Sequence, residues 1–210
     1  MDARSRLLQA ALLLFAEKGY QLASTREICK AADANISAIK YYFGDKAGLY
    51  REVFNLCQGD MPDCSDVSRY LQLPLRAGLH AIFKDFLAAL KQGEQLRLIM
   101  KLHYREMLEP TGMWQQQIET KIKPQHLAVI TMLQAGFGLS QPDDDMHLLA
   151  FSLIGMAVHF YVGQDVIAAV CPNMTADADA IDLLAERLAD YGFAMVQGEA
   201  IRRGLQLCAN

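Results

Sequence analysis

Apolar residues recur at intervals of three and four along almost the whole chain, and this spacing constrains the fold more than any other feature of the sequence. In the first segment, Leu7, Ala11 and Phe15 lie on one helical stripe that ends at Gly19. A half-buried strand would alternate apolar and polar residues, and no segment of the sequence does so. Hydrophobic residues make up 52% of the 210 residues, which is enough to bury a substantial core. The sequence therefore predicts an all-α protein of about nine helices.

Three shorter helices are predicted after the first, each beginning at a residue that can cap its N-terminus. Ser24 and Glu27 have the spacing of a capping box, for a helix that runs to about residue 32. Asn35 can cap the next helix, which runs through residue 43, and Asp45 can cap a fourth from residue 46 to about residue 58. Two short helices joined by a tight turn after a longer helix predict a helix-turn-helix.

The stretch 59–66 is rich in Gly, Pro, Asp and Ser, and this composition predicts a loop between two domains. We expect an N-terminal helix-turn-helix domain of residues 1–58 and a larger helical body of residues 59–210. Within the body, the apolar periodicity predicts helices over residues 75–90, 94–109, 118–133, 147–163 and 181–195, with a bend or restart at Pro124.

The last two predicted helices have more apolar surface than one small chain can cover. Residues 147–163 are apolar on every side, and the final helix has an apolar seam with heptad-like spacing. We therefore expect these helices to pack against a second copy of the chain in a four-helix bundle. The expected interface residues are Leu148, Ser152, Gly155, Ile181, Leu184, Leu188, Tyr191 and Met195.

The net charge of −4 is unevenly distributed. Residues 1–55 contain 8 Lys and Arg against 6 Asp and Glu, a net charge of +2, whereas the remainder contains 12 against 18, a net charge of −6. A polyanion would therefore meet the N-terminal domain rather than the body.

Other classes of protein are disfavoured. The five cysteines are far apart and have no metal-ligand spacing, so we expect buried small residues and no metal, with Cys57 and Cys64 as a redox alternative. The apolar run 7–16 is interrupted by Gln9 and lacks a signal-peptide cleavage site. The stretch 146–164 is marginal for a membrane span because it contains Ser152 and His159. We expect a cytoplasmic protein without a cofactor.

The second helix of the predicted helix-turn-helix has the residues that a DNA reader needs. It begins with small polar groups that can approach base edges, at Asn35 and Ser37. It ends with Lys40, Tyr41 and Tyr42, which can reach phosphates. Ile39 and Phe43 would anchor its inner face.

These segments resemble the N-terminal domain of the TetR/AcrR family of transcriptional regulators. The resemblance rests on Thr25-Arg-Glu-Ile-Cys-Lys-Ala-Ala32, on Asn35 to Phe43 and on Asp45-Lys-Ala-Gly-Leu-Tyr50. Farther along, Arg105-Glu106-x-Leu108-x-Pro110-Thr111 is similar to the C-terminal domain of the CecR-like subgroup. The resemblance implies a three-helix DNA-binding head and a helical body that binds a ligand and forms a dimer.

The resemblance also implies roles for individual residues. Thr25 would bind a phosphate at the start of the second helix, with Arg26 beside it on a base or phosphate. Asn35, Ser37 and Ala38 would face the groove. Tyr42 and Lys46 would bind the backbone, Lys46 with the help of helix N-terminal amides. The sequence departs from the family at Asp33, where Gly is usual, and at Lys40, where Tyr is frequent.

The body carries polar and aromatic groups among apolar helices, an arrangement that suits a small organic effector. The candidate pocket residues are His103, Arg105, Trp114, His126, His159 and Tyr161. A guanidinium on a largely apolar helix needs an anionic partner. Arg105 is therefore expected to pair with an acid from another helix or with a polar group of the ligand.

The sequence is thus interpreted as a homodimeric regulator, an effector-released repressor that binds a palindromic operator. The resemblance suggests export or drug-sensitivity genes as targets. Three alternatives stay open: an activator or non-sensing DNA-binding dimer, a small helical enzyme that uses His103, Glu106 or His159, and a membrane-associated bundle anchored through residues 146–164.

Overall fold

The computed structural model describes residues 1–59 and 67–208, and these residues contain α-helices and no β-strand. The helices are α1 (Ala3–Leu22), α2 (Thr25–Ala31), α3 (Ile36–Phe43), α4 (Lys46–Gly59), α5 (Ser68–Leu71), α6 (Leu75–Leu87), α7 (Glu94–Leu108), α8 (Met113–Gln117), α9 (Lys123–Phe137), α10 (Asp144–Val162), α11 (Gln164–Val170) and α12 (Ala178–Arg203). The predicted all-α fold is confirmed. The short helices α5, α8 and α11 are additional to those predicted.

Local chemistry sets the helix ends. Gly19 has φ +80° and interrupts α1 near the position where the sequence predicted the end of this helix. A π-helical segment, Ile118–Ile122, follows α8, and α9 restarts with Pro124 in its first turn. The Asp143 carboxylate caps α10 by accepting from the Met146 amide, and its ion pair with Arg203 lowers the pKa of Asp143.

The described residues form two compact units, with unit 1 drawn from Met1–Met61 and Gly93–Gln117. In unit 1, α1 packs along α7 and also contacts α2 and α4. Ile99 and Leu102 of α7 and Met113 of α8 belong to the same apolar core as the N-terminal helices. α7 and α8 therefore complete the core of the N-terminal helices. The predicted boundary between residues 58 and 59 stays a prediction because it adjoins residues outside the described ranges.

Unit 2 is drawn from Pro62–Gln92 and Ile118–Asn210, and its central packing is that of α12 on α6. α10 packs against both α9 and α12. At Gly192 a Cβ atom would lie 2.9 Å from Leu153 and 3.3 Å from Phe83, so the glycine allows α12 to approach these side chains closely. This contact fixes which face of α12 turns inward.

The inward face of α12 corrects part of the predicted dimer interface. Ile181, Leu184 and Leu188 are buried within the single chain, in which α12 packs on α6. Tyr191 is exposed and Met195 is half-buried. On α10, Leu148 and Gly155 are exposed and Ser152 is half-buried.

α10 is long and apolar enough to cross a membrane by length and composition alone, and 33% of its most apolar window is buried in the fold. The single chain leaves part of this helix exposed. Leu148, Phe151 and Val162 are exposed large apolar side chains on it.

The cysteines differ in burial. Cys29 is buried, as predicted, and burial raises the pKa of its thiol. Cys171 and Cys208 are exposed, so the expectation of burial is wrong for both. Cys171 directly follows α11, and Cys208 follows α12, where its amide donates to the Gly136 carbonyl of α9 at 2.9 Å. Cys64 and the side chain of Cys57 lie outside what the structure describes.

Candidate nucleic-acid interface

A capping box fixes the start of α2. The Ser24 hydroxyl accepts from the Glu27 amide at 3.1 Å, and the Glu27 carboxylate accepts from the Ser24 amide at 3.2 Å. The Lys18 ammonium donates to Glu27 at 2.8 Å, and this hydrogen bond, with those from Ser24, lowers the pKa of Glu27 to about 2. Thr25 is half-buried in the first turn and Arg26 beside it is exposed. The sequence prediction of this cap is confirmed.

The turn between α2 and α3 is a Schellman motif. The Ala34 amide donates to the Cys29 carbonyl at 3.0 Å and the Asp33 amide to the Lys30 carbonyl at 3.3 Å. Asp33 has φ +46°, which lies in the left-handed region and explains why glycine is usual there in the family. Arg6 of α1 donates to the carbonyls of Ala32 and Asp33 at 2.8 and 3.2 Å. The turn is therefore tied to α1.

α3 has one buried side and one exposed side. Ile39 is buried and Phe43 half-buried, as predicted for anchors, and the Arg4 guanidinium lies 5.6 Å from the Phe43 ring centroid. Ser37, Lys40 and Tyr41 are exposed, Tyr41 to 82%. The outer side of α3 is thus free for contact with a polyanion.

The first residues of α3 are organised by its own cap. The Asn35 side-chain oxygen accepts from the amide and from the hydroxyl of Ser37, both at 2.9 Å. Asn35 and Ser37 remain exposed, and Ala38 behind them is half-buried. The same hydrogen bonds that begin the helix therefore hold its polar end in one geometry.

Lys46, at the start of α4, is held close to α1. Its ammonium donates to the Gln21 carbonyl at 3.3 Å and lies 4.6 Å from the Tyr20 ring centroid. Burial lowers the pKa of Lys46. Asp45 caps α4 by accepting from the Gly48 amide at 2.7 Å, as predicted.

The structure places the nine predicted DNA-contacting residues on α2, on α3 and its N-cap, and at the start of α4. Six of them are exposed: Arg26, Asn35, Ser37, Lys40, Tyr41 and Tyr42. The other three, Thr25, Ala38 and Lys46, are half-buried. Sequence reasoning missed Gly48, where a Cβ atom would lie 1.9 Å from the Phe43 carbonyl oxygen. Glycine lowers the stability of a helix interior, so its presence inside a predicted helix is the signal that could have pointed to a close contact there. Arg6 carries no comparable signal because its partners are main-chain carbonyls.

The predicted pocket residues of unit 1 have defined partners. Arg105 donates to the carbonyls of Ala16 and Glu17 at 2.9 and 2.6 Å, just before the break at Gly19. The observed partners of Arg105 are thus main-chain carbonyls, whereas the sequence predicted a carboxylate or a ligand group. His103 is buried and stacks on Phe54 at 4.6 Å between ring centroids. Trp114 lies half-buried on α8.

Glu106 is the most highly connected buried group of unit 1. Its carboxylate accepts from the Tyr50 hydroxyl at 2.7 Å and from the amides of Thr111, Met113 and Trp114 at 2.8, 2.9 and 3.2 Å. The Thr111 hydroxyl also donates to it. The Arg105-Glu106…Thr111 motif therefore connects α7 to α1, to α4 and to the start of α8.

The predicted pocket residues of unit 2 are dispersed. His126 is buried, its Nε2 lies 2.9 Å from Nδ1 of His147, and burial together with His147 lowers the pKa of His126. The buried Tyr161 donates its hydroxyl to the Phe86 carbonyl, and His159 is exposed. A cavity of about 20 Å³ in this unit has only apolar lining residues, among them Phe83, and is too small for an organic molecule.

The sequence and the fold match known regulators. Residues 7–53 match the tetR family of bacterial regulatory proteins, and residues 75–198 match the C-terminal domain of the HTH-type transcriptional dual regulator CecR. CecR of Shigella flexneri is 28% identical to this chain over 208 residues, which cover 94% of this chain and 92% of that protein.

Solved structures share the fold. NalD, the secondary repressor of the MexAB-OprM multidrug efflux pump in Pseudomonas aeruginosa, has a TM-score of 0.62 and 21% identity, with 97% of this chain and 95% of that chain covered. The transcriptional regulator FadR from Bacillus subtilis, in complex with stearoyl-CoA, has a TM-score of 0.59 and 15% identity, with 90% of this chain and 96% of that chain covered.

Proposed function

Since the chain belongs to the TetR family of regulators and carries the CecR C-terminal domain, we propose that it is a repressor that binds a palindromic operator as a homodimer and leaves it when a small organic effector binds. It is a DNA-binding transcriptional regulator and not an enzyme, because that family is non-enzymatic. The observation that carries the proposal is the exposed outer side of α3, with Ser37, Lys40 and Tyr41 opposite the buried Ile39.

In this proposal α3 enters the major groove. Asn35, Ser37 and Ala38 approach base edges, while the remaining predicted contacts bind phosphates or flanking bases. These remaining residues are Thr25, Arg26, Lys40, Tyr41, Tyr42 and Lys46. Lys46 exchanges its carbonyl partner for a phosphate, an exchange that its position at the start of α4 favours.

The homodimer is supported by apolar side chains that the single chain leaves exposed. Leu148 of α10 is 65% exposed, Phe151 lies one turn farther on the same helix, and Tyr191 of α12 is also exposed. Covering these residues with a second copy removes apolar surface from water. The proposed interface consists of Leu148, Ser152, Gly155, Tyr191 and Met195, and it omits the three buried leucine and isoleucine positions of α12.

The effector acts by population shift in this proposal. It binds more tightly to a dimer conformation whose two α3 helices are wrongly spaced for the operator, and the release is limited by that difference in affinity. Export or drug-sensitivity genes are the proposed targets; NalD, which shares the fold, is the repressor of an efflux pump.

An activator is the second candidate, and the relative CecR is itself named a dual regulator. A reporter assay with the promoter, with and without the gene, distinguishes repression from activation. We also propose a cytoplasmic location, in which a second copy rather than lipid covers α10. Recovery of the protein in the soluble fraction without detergent tests this location.

The operator is tested by titrating the protein against labelled DNA from upstream of its own gene. Fluorescence anisotropy is followed at several salt concentrations, with scrambled DNA as competitor. We expect binding that survives excess competitor. Binding that the competitor abolishes at every salt concentration would contradict an operator in that DNA, and the absence of binding at low salt would contradict the interface on α3.

A further inference from the structure

Two buried acceptor atoms of unit 1 have no hydrogen-bond partner in the part of the chain that the structure describes. They are Nε2 of His103 on α7 and Oε1 of Gln117 on α8, and each of these residues is 5% exposed. The two helices pack against each other. Buried acceptors are almost always hydrogen-bonded, so two unpaired ones on adjoining helices call for an occupant.

The hydrogen bond at Nδ1 fixes what His103 offers at Nε2. Nδ1 lies 2.8 Å from the Ile99 carbonyl oxygen, which can only accept, so Nδ1 carries the proton. Burial lowers the pKa of His103, and the ring is neutral near pH 7. Nε2 therefore presents a lone pair, as does Oε1 of Gln117. Both atoms need a donor from outside the described residues.

The surroundings define the occupant further. The Phe54 ring lies 4.6 Å from the His103 ring between centroids, and Met113 is a buried residue of α8, so part of this neighbourhood is apolar. The Glu106 carboxylate lies one turn from His103 on α7 and is fully buried. Its negative charge and the two lone pairs disfavour an anion. The two acceptor atoms therefore suit a largely apolar molecule, one end of which carries an N–H or O–H donor and no negative charge.

The same residues connect this place to the helix that follows the helix-turn-helix. Phe54 and Tyr50 lie one turn apart on α4, and they contact His103 and Glu106, which lie one turn apart on α7. An occupant at His103 therefore acts on α4 through Phe54, beside the hydrogen bond from Tyr50 to Glu106. α4 in turn contacts α3.

We propose that His103 Nε2 and Gln117 Oε1 bind the donor end of the effector, and that this effector is an amine, amide or hydroxyl compound with an apolar remainder rather than an anion. The inference rests on the proposed effector response and specifies the chemistry of that response. An internal water molecule is the competing explanation, because it would also donate to both atoms.

Three aromatic probes of similar size separate these explanations. Phenol donates a hydrogen bond, anisole only accepts, and benzoate carries a negative charge. The full-length protein, labelled with ¹⁵N at histidine, is titrated with each probe while the Nε2 resonance of His103 is followed. We expect phenol to shift this resonance at least tenfold more than anisole or benzoate does at the same concentration. Equal shifts from phenol and anisole, or no shift with phenol up to its solubility, would overturn the proposal in favour of water.

Variants check that the response comes from these atoms. His103→Phe keeps a ring against Phe54 but removes the acceptor, and Gln117→Leu removes the other acceptor at similar volume. The phenol response is then followed by the fluorescence of Trp114, the only tryptophan of the chain. We expect each variant to weaken phenol binding at least tenfold, whereas His80→Phe on α6 leaves phenol binding unchanged. Unchanged phenol binding in both pocket variants would contradict the proposal.

Operator binding without any probe separates this inference from the proposed function. If operator binding is intact and phenol does not bind, the inference about the donor fails while the proposed function stands. If phenol binds as expected and no DNA does, the proposed function fails.

Discussion

Arg105 and Glu106 are adjacent in sequence and serve different neighbours around α7. Arg105 donates to two carbonyls of α1, whereas Glu106 accepts from Tyr50 of α4 and from amides before and within α8. The sequence predicted an acid or a ligand group as the partner of this guanidinium, and the observed partners are main-chain carbonyls. It could not indicate the partner, because the main-chain carbonyls before Gly19 have no side-chain signature.

At Gly48 the backbone of α4 lies close to the last residue of α3. A Cβ atom there would lie 1.9 Å from the Phe43 carbonyl oxygen, and backbone atoms cannot move aside as a flexible side chain can. We expect Gly48→Ala to lower the free energy of unfolding by about 2–3 kcal/mol. Denaturant unfolding followed by circular dichroism measures the change.

The matched control is Gly198→Ala in α12, where no atom lies within 4 Å of the added Cβ. This substitution should raise the free energy of unfolding by roughly 0.5–1 kcal/mol, because alanine favours the helix. Equal effects of the two substitutions would contradict the close contact at Gly48.

Lys46 and Ser37 are expected to contribute differently to DNA binding. Lys46→Ala should weaken binding to all DNA and reduce the slope of log K against log salt by about 0.9, because one phosphate contact is lost. Ser37→Ala should change the preferred bases and leave that slope unchanged. Anisotropy titrations at several salt concentrations test both; an unchanged slope in Lys46→Ala would remove Lys46 from the interface.

At the scale of elements, the sequence predicted those helices whose ends carry chemical signals. The capping box of α2, the Asn35 cap of α3 and the proline at the start of α9 were all readable from residue types. The short helix α11 begins at Gln164, and its N-cap residue Gly163 has no side chain that could cap it. Such an element depends on packing within unit 2, which local sequence does not encode.

The inner side of α12 shows the same limit for the candidate sites. The spacing of Ile181, Leu184 and Leu188 correctly predicted an apolar seam. Spacing alone could not tell whether that seam meets α6 of the same chain or a second copy. The exposed side of α3 was easier to predict, because Ile39 and Phe43 anchor the helix and its outer side stays exposed.

The capping box of α2 should titrate at unusually low pH. The pKa of the Glu27 carboxyl, about 2, lies below its ordinary value of 4.5. The stability that the ionised carboxylate contributes is therefore fully present above pH 4.5 and is lost as the pH falls toward 2. We expect the difference in thermal stability between wild type and Glu27→Gln to shrink over that range. A difference that is constant from pH 5 to pH 2 would contradict the Lys18–Glu27–Ser24 network.

At the scale of the whole molecule, α10 and α12 carry the proposed dimer contacts. Leu148→Glu places a charge on an exposed position, so it should give a folded monomer. Leu188 is only 5% exposed, and Leu188→Glu should instead lower the free energy of unfolding by roughly 3–5 kcal/mol, because the charge is buried without a partner.

Sedimentation equilibrium and circular dichroism distinguish these two outcomes. A dimer that survives Leu148→Glu would place the interface elsewhere. A stable monomer of Leu188→Glu would contradict the packing of that leucine within unit 2.

Methylation interference on the operator tests the central claim most directly, because methylation of guanine N7 blocks the major groove without changing the phosphates. We predict two clusters of interfering guanines, one in each half-site, with centres one helical turn of DNA or a multiple of it apart. Ser37→Ala should change which guanines interfere. Binding that is indifferent to guanine N7 methylation would contradict the insertion of α3 into the major groove.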